Sequence, residues 1–328
     1  MVEKKKVLLV EPFIHRKLVD FLQKEVEVHI APDHSEQTLS QYLKGIHGLI
    51  VRSEKVPEGS LNAADSLEVI GRAGVGIDNI PIKLATKKGI CVVNTPKANY
   101  IAVAEHTVGL MIALAKNITV ADREIRRGRW RVRDRLVNIE LEGKKLGIIG
   151  LGKIGTEVAQ KCIHAFRMEV RAYDPYVSPE KAQKIGVQLV EDLIQLIKYA
   201  DFVSIHAPLT PETHHLLGEK ELSQMKPNAY LINTARGAIV DESALLRALE
   251  NKKIGGAALD VFTNEPLPED SPLVKLDNII LTPHLSPLAE ETKVRMARDV
   301  AKGVLAVLKG QRPQYLVNPE VWKWKGSQ

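Results

Sequence analysis

Apolar residues come in short runs separated by stretches with helical spacing, almost from one end of the chain to the other. In the first third the runs are residues 7–10, 26–30, 48–51, 67–71 and 90–94. Between them, 15–24, 36–44 and 81–87 place apolar residues on one face of a helix. From 145 onward the rhythm returns, with runs at 146–149, 168–173, 202–206, 229–233, 256–259 and 279–282. Helical patterns at 179–184, 192–199, 219–224 and 242–249 alternate with these runs. Runs that are apolar on both faces suit strands of a parallel sheet covered by helices on both sides. The pattern therefore predicts an α/β chain of two doubly wound parallel-sheet domains. A long helical pattern, residues 99–127, separates the halves and is apolar nearly all round, which predicts burial. A last one, 290–309, is long enough to fold back on the N-terminal half. The expected boundaries are 1–98 plus 287–328 for one discontinuous domain and 99–286 for the other.

One stretch turns this architecture toward chemistry. Residues 145–155 read Lys-Leu-Gly-Ile-Ile-Gly-Leu-Gly-Lys-Ile-Gly: a buried strand, then Gly150, Gly152 and Gly155 opening a helix. The first glycine suits a tight turn, the second lets backbone approach a pyrophosphate, and the third lets helix and strand pack closely. Backbone amides at Lys153 and Ile154 and the positive end of the helix dipole favour phosphate. The next apolar run ends in Asp174, about 20 residues on, where a Rossmann fold holds the adenosine ribose. A carboxylate there repels the extra phosphate of NADP, so NAD is the expected cofactor.

Composition narrows the field. With 328 residues, two domains are the natural expectation. No apolar run approaches the roughly 20 residues that span a bilayer. After the opening Met1-Val-Glu-Lys-Lys-Lys6, the short apolar run Val7–Val10, closed by Glu11, reads as a first strand rather than a signal peptide. The two cysteines, Cys91 and Cys162, lie far apart in apolar contexts, which fits a cytoplasmic location without a disulfide framework. Much of the net charge of +6 sits between Asp122 and Arg135, around Trp130. We read that segment as a solvated or subunit-facing helix end, not a nucleic-acid surface. No metal site and no membrane partner are expected.

Ligands of open α/β sheets gather where strands end. Two loops in the first half follow strands directly: Val51-Arg-Ser-Glu-Lys-Val56 and Arg72-Ala-Gly-Val-Gly-Ile-Asp-Asn79. Arg52 and Ser53 offer donors, and Gly74 and Gly76 offer backbone amides, for an acidic group. In the second half Arg236, Glu265 and His284 each follow a different strand. Reducing a carbonyl beside a carboxylate needs a cation, a proton donor and a group that tunes the donor. Arg236 suits the first through its planar fork. His284 suits the second, since histidine ordinarily titrates at about 6.5. Glu265 suits the third by favouring the imidazolium.

These residues, with their neighbours, resemble the NAD-dependent D-isomer-specific 2-hydroxyacid dehydrogenases. The likeness includes Val51-Arg-Ser53, Gly74-Val-Gly-Ile-Asp-Asn79, Asn94-Thr-Pro96, Ala104-Glu-His-Thr107, His206-Ala-Pro-Leu209, Asn233-Thr-Ala-Arg-Gly237, Asp260-Val-Phe262, Asn264-Glu-Pro266 and Pro283-His284. Val51-Arg-Ser53, Asn94-Thr-Pro96 and Val317-Asn-Pro319 look most like the phosphoglycerate dehydrogenase branch. The resemblance implies an active-site cleft between two domains and a catalytic set of Arg236, Glu265 and His284. It implies that Gly150, Gly152, Lys153, Ile154, Gly155, Asp174, His206, Ala207, Pro208, Thr213, Thr234, Ala235 and Asp260 line NAD. Arg52, Ser53, Val75 and Gly76 would hold the substrate's acid groups. A homodimer built on the helix after Asn99 is implied too.

The substrate the resemblance puts first is 3-phosphoglycerate, oxidised in serine biosynthesis, with hydroxypyruvate or glyoxylate second. A protein that binds NAD as a corepressor, with negligible turnover, is the alternative of another class. Formate dehydrogenases share the fold but carry glutamine in place of Glu265. Three departures stand out. The loop after the histidine is Leu285-Ser-Pro-Leu288 instead of a small-residue run. Pro81 stands where aspartate is common. The chain also stops soon after Pro319, so the regulatory domain of longer relatives is not expected.

Overall fold

In a computed structural model, which describes residues 4–10 and 15–325, the alternation becomes two parallel sheets. Residues 1–3 and Glu11 of the N-terminal reading lie outside the described residues. Packing divides the chain into two units, residues 1–99 with 288–328 and residues 100–287.

The first unit holds β1 (Lys6–Val10), β2 (Glu27–Ala31), β3 (Gly48–Val51), β4 (Val69–Arg72) and β5 (Cys91–Val93) in the order β2-β1-β3-β4-β5. Every pairing is parallel. Successive side chains on β1 enter different cores, Leu8 and Val10 one and Val7 and Leu9 the other. That is the reason the runs are continuous rather than alternating. The helix Glu290–Leu308 covers one face, and a side chain at Gly71 would collide with Val300 and Val304.

The second unit is a seven-stranded sheet, β12-β11-β10-β9-β6-β7-β8. Its strands are β6 (Lys145–Ile149), β7 (Glu169–Tyr173), β8 (Gln188–Leu189), β9 (Phe202–Ile205), β10 (Tyr230–Asn233), β11 (Gly256–Leu259) and β12 (Ile279–Leu281). Ile148 and Phe202 face one core, Ile149 and Val203 the other. Strand order reverses between β6 and β9, which pair directly in parallel. Such a reversal opens a crevice at the strand ends. All strands run the same way, so the segments after β6, β7, β9, β10, β11 and β12 share one edge of the sheet.

Four elements differ from the sequence reading. The helix expected over 99–127 is two, Tyr100–Ala115 and Ile118–Arg126, bent by 63°. Asn117 breaks it in a left-handed conformation (φ 51°), with its amide donating to Val137 O and Asn138 Oδ1. Asparagine tolerates that conformation better than most residues. Only the first piece carries buried residues. The short helices Glu58–Ala63 and Pro319–Lys325 and the two-residue β8 were not foreseen, being too brief to show a period. Among the described residues no single helix is long and apolar enough to cross a membrane.

Candidate active site

The turn after β6 is built as its glycines require. Gly150 has φ +90°, and a Cβ there would lie 2.7 Å from Ala207 N. A Cβ on Gly155 would lie 2.1 Å from Gly150 O, so only glycine lets the helix Lys153–Phe166 start this close to the strand. At Gly152 the same construction meets nothing within 4 Å. That opening, at a helix N-terminus without a side-chain cap, is where a diphosphate fits. Asp174 lies beside it, its Oδ2 accepting Leu151 N–H (2.8 Å) and its Oδ1 accepting Tyr176 N–H (2.9 Å). Each oxygen keeps a lone pair for a ribose hydroxyl.

The loop after β9 completes this side. Burial pushes the His206 pKa down to about 3, so its ring is neutral. Its Nε2 pairs with Ser204 Oγ (2.9 Å), while its buried Nδ1 has no hydrogen-bond partner among the described residues. A polar group of a bound dinucleotide would account for that orphan. Ala207 and Pro208 follow, and Thr213 Oγ donates back to Pro208 O (2.6 Å), closing the loop. Together these residues fit NAD.

Toward β12 the structure brings together residues far apart in sequence. His284 Nδ1 and Glu265 Oε2 are 2.8 Å apart. Glu265 Oε1 also accepts Phe262 N–H (3.1 Å). Burial opposes the charge of Glu265, but the bond to His284, the Phe262 amide and the field of Arg236 outweigh it and hold its carboxyl below the usual range. Arg236 follows β10, half-buried, with Nη1 donating to Ala235 O (2.7 Å). His284 sits in a left-handed backbone conformation (φ 50°), uncommon for a residue with a side chain. Its amide donates to Asp260 O (2.8 Å) and Thr282 O (3.0 Å).

Two residues expected along the cofactor spend their side chains inside the protein. Thr234 Oγ pairs with Thr107 Oγ (2.9 Å). Asp260 is fully buried; Oδ1 accepts from Thr282 Oγ (2.5 Å) and Leu285 N–H (2.8 Å), and Oδ2 from Ser286 N–H (2.9 Å). Burial works against its charge, yet bonds from His106, Thr282 and Ser286 hold its pKa at about 2. His106 Nε2 lies 3.2 Å from Thr282 Oγ and 3.5 Å from Asp260 Oδ1. His106 and Thr282 are 176 residues apart, and no local pattern marks the pair.

In the first unit Arg52 and Ser53 follow β3, and Val75 and Gly76 follow β4. Asn79 staples the first of these loops through Nδ2 to Arg52 O (3.2 Å) and Glu54 O (2.8 Å). Sequence reading passed over Glu54, which is buried and accepts Arg52 N–H through Oε2 at 2.5 Å. It puts a carboxylate inside a loop read as an anion holder. No group of three or more histidine, cysteine or acidic side chains suited to a metal occurs among the described residues.

Residues 108–286 match the family model for the NAD binding domain of D-isomer specific 2-hydroxyacid dehydrogenases. The chain is 45% identical over 95% of its length to a D-3-phosphoglycerate dehydrogenase of Methanocaldococcus jannaschii, but covers 59% of that protein. Of the phosphoglycerate dehydrogenases it matches, it spans between 48% and 59% of the length. It is 42% identical to a glyoxylate reductase of Thermofilum pendens, covering 91% of this chain and 90% of that one. The crystal structure of D-lactate dehydrogenase from Aquifex aeolicus, complexed with NAD and lactic acid, superposes with a TM-score of 0.85 at 31% identity, covering 95% of this chain and 99% of the other. A dinucleotide turn, an acid–imidazole pair at the same sheet edge and this breadth of similarity place the chain in the D-isomer-specific 2-hydroxyacid dehydrogenase family.

Proposed function

We propose that the chain interconverts a D-2-hydroxy acid and its 2-keto acid with NAD, and that D-3-phosphoglycerate is the substrate. The observation that carries the chemistry is the 2.8 Å contact between His284 Nδ1 and Glu265. Glu265 accepts a hydrogen bond from Nδ1–H, which leaves Nε2 as the nitrogen that exchanges protons with substrate. In reduction, imidazolium Nε2–H donates to the carbonyl oxygen; in oxidation, neutral Nε2 takes the hydroxyl proton. Arg236 holds the substrate carboxylate through its fork and polarises the adjoining carbonyl. When bound at the turn 150–155, the cofactor would provide the hydride as NADH or take it up as NAD+. The turn 150–155, Asp174 and the loops bearing His206–Thr213, Thr234–Ala235 and Asp260 line that cofactor, with Asp174 on the ribose. Arg52, Ser53, Val75 and Gly76 hold the acid groups of the substrate.

The substrate choice leans on the relatives named phosphoglycerate dehydrogenase. Glu54 favours a second reading: its carboxylate in the Arg52 loop disfavours a phosphate dianion and suits a small monoanion such as glyoxylate. NADH oxidation on phosphohydroxypyruvate, hydroxypyruvate and glyoxylate separates the two by kcat/KM. Turnover on none of them, with NADH still bound, would leave the corepressor reading.

The proposal includes a cytoplasmic homodimer. The buried thiols Cys91 and Cys162 support the compartment. Ile118 (50% exposed), Ile125 (44%) and Trp130 (65%) support association along the Ile118–Arg126 helix. Its basic charge is partly paired, with Arg126 on Asp122, Arg127 and Arg129 on Glu124, and Arg123 on Asp277.

A further inference from the structure

We propose that His106, on the helix Tyr100–Ala115, is a positioning residue for His284, acting through Thr282 and the buried carboxylate of Asp260. The inference rests on the dehydrogenase reading above, in which His284 transfers the proton.

The chain of bonds has one consistent polarity. Thr282 Oγ donates to Asp260 Oδ1 at 2.5 Å, so its lone pairs face outward for a donor. His106 Nε2, 3.2 Å away, is that donor, and its distance of 3.5 Å to Asp260 Oδ1 adds attraction for the carboxylate. Asp260 in turn accepts Leu285 N–H and Ser286 N–H, while its own carbonyl accepts His284 N–H. His284 is thus pinned on both sides of a left-handed φ that its Cβ disfavours. An unsupported loop would relax out of that conformation and carry the ring off Glu265. Among the described residues the bonds of His106 run to Thr282 and Asp260, and through this relay it acts on His284.

The variants are His106→Leu, which removes the donor, His106→Gln, whose amide nitrogen reaches to the same place as Nε2, and Thr282→Val, which cuts the relay without changing shape. Amide hydrogen exchange of Leu285 and Ser286 is read on the protein without cofactor, and steady-state kinetics on the best keto acid. We expect His106→Leu and Thr282→Val each to speed exchange at both amides roughly tenfold and to lower kcat roughly tenfold to hundredfold. KM and the NADH dissociation constant should stay within about threefold, His106→Gln should behave as the parent, and the double variant should be no worse than either single one. Undiminished protection of Leu285 and Ser286 in His106→Leu, equal loss in the Gln and Leu variants, or additive losses in the double variant would overturn the inference. Should the parent protein reduce no keto acid, the dehydrogenase reading falls, and the exchange measurements still decide whether His106 holds the loop.

Discussion

Replacing Asp260 with asparagine tests how the histidine loop is held. The carboxylate is fully buried and its pKa is lowered from 3.8 to about 2. A lowered folded pKa adds stability that is complete well above the unfolded value and is lost as pH falls through the folded one. The fall from 3.8 to about 2 is worth about 2.5 kcal/mol. Asparagine gives up that term. It also turns an NH2 toward Thr282 Oγ and Leu285 N–H, or toward Ser286 N–H, leaving a buried donor unmet at a further cost of roughly 1–3 kcal/mol. Asp260→Asn should therefore lose about 3.5–5.5 kcal/mol of unfolding free energy at pH 6, of the order expected for breaking a buried charge network. Roughly half of the linkage term is gone by pH 3, so the gap to the parent should narrow there by about 1 kcal/mol. Urea titrations followed by circular dichroism at the two pH values measure both numbers. A variant that loses less than about 1 kcal/mol at pH 6, or whose gap does not close on acidification, refutes the claim that Asp260 is charged and held by these donors.

Other expectations concern single steps. His284→Ala should lower kcat by roughly 10²–10⁴-fold while NADH affinity, read by fluorescence titration, changes only a few-fold; equal losses in both would make the residue structural. Asp174→Ala should shift the NADPH-to-NADH ratio of kcat/KM toward NADPH by roughly tenfold or more, and an unchanged ratio would remove Asp174 from the ribose. Gly155→Ala must displace Gly150 O, which a Cβ would approach to 2.1 Å, so NADH binding and thermal stability should fall together by about 1–3 kcal/mol. Glu54→Gln keeps an oxygen for Arg52 N–H but drops the charge. It should raise kcat/KM for phosphohydroxypyruvate over glyoxylate by roughly fivefold; no change would show that Glu54 does not sense the substrate's charge.

Local order was legible from the chain wherever the signal was local. Continuous apolar runs announced strands covered on both faces, because a residue on either side of such a sheet meets a core. The glycine turn and Asp174 were readable because a tight turn, a close helix start and a ribose partner impose residue types at short, fixed spacing. The bend at Asn117 was not, since the helical period runs through it and only side-chain bonds to Val137 and Asn138 favour the break.

By itself the sequence determined two parallel α/β sheets, the dinucleotide turn, and the strand ends at which Arg236, Glu265 and His284 lie. Tertiary structure decided which of those strand-end residues touch: the carboxylate of Glu265 on His284, and Asp260 turned inward to hold the loop instead of standing open. It also decided that His106 reaches that carboxylate and that Glu54 is folded into the Arg52 loop. The physical reason is range. Strand and turn preferences act over a few residues, whereas a hydrogen bond across 176 residues exists only once the sheet has set its donors and acceptors within 3 Å or so of each other.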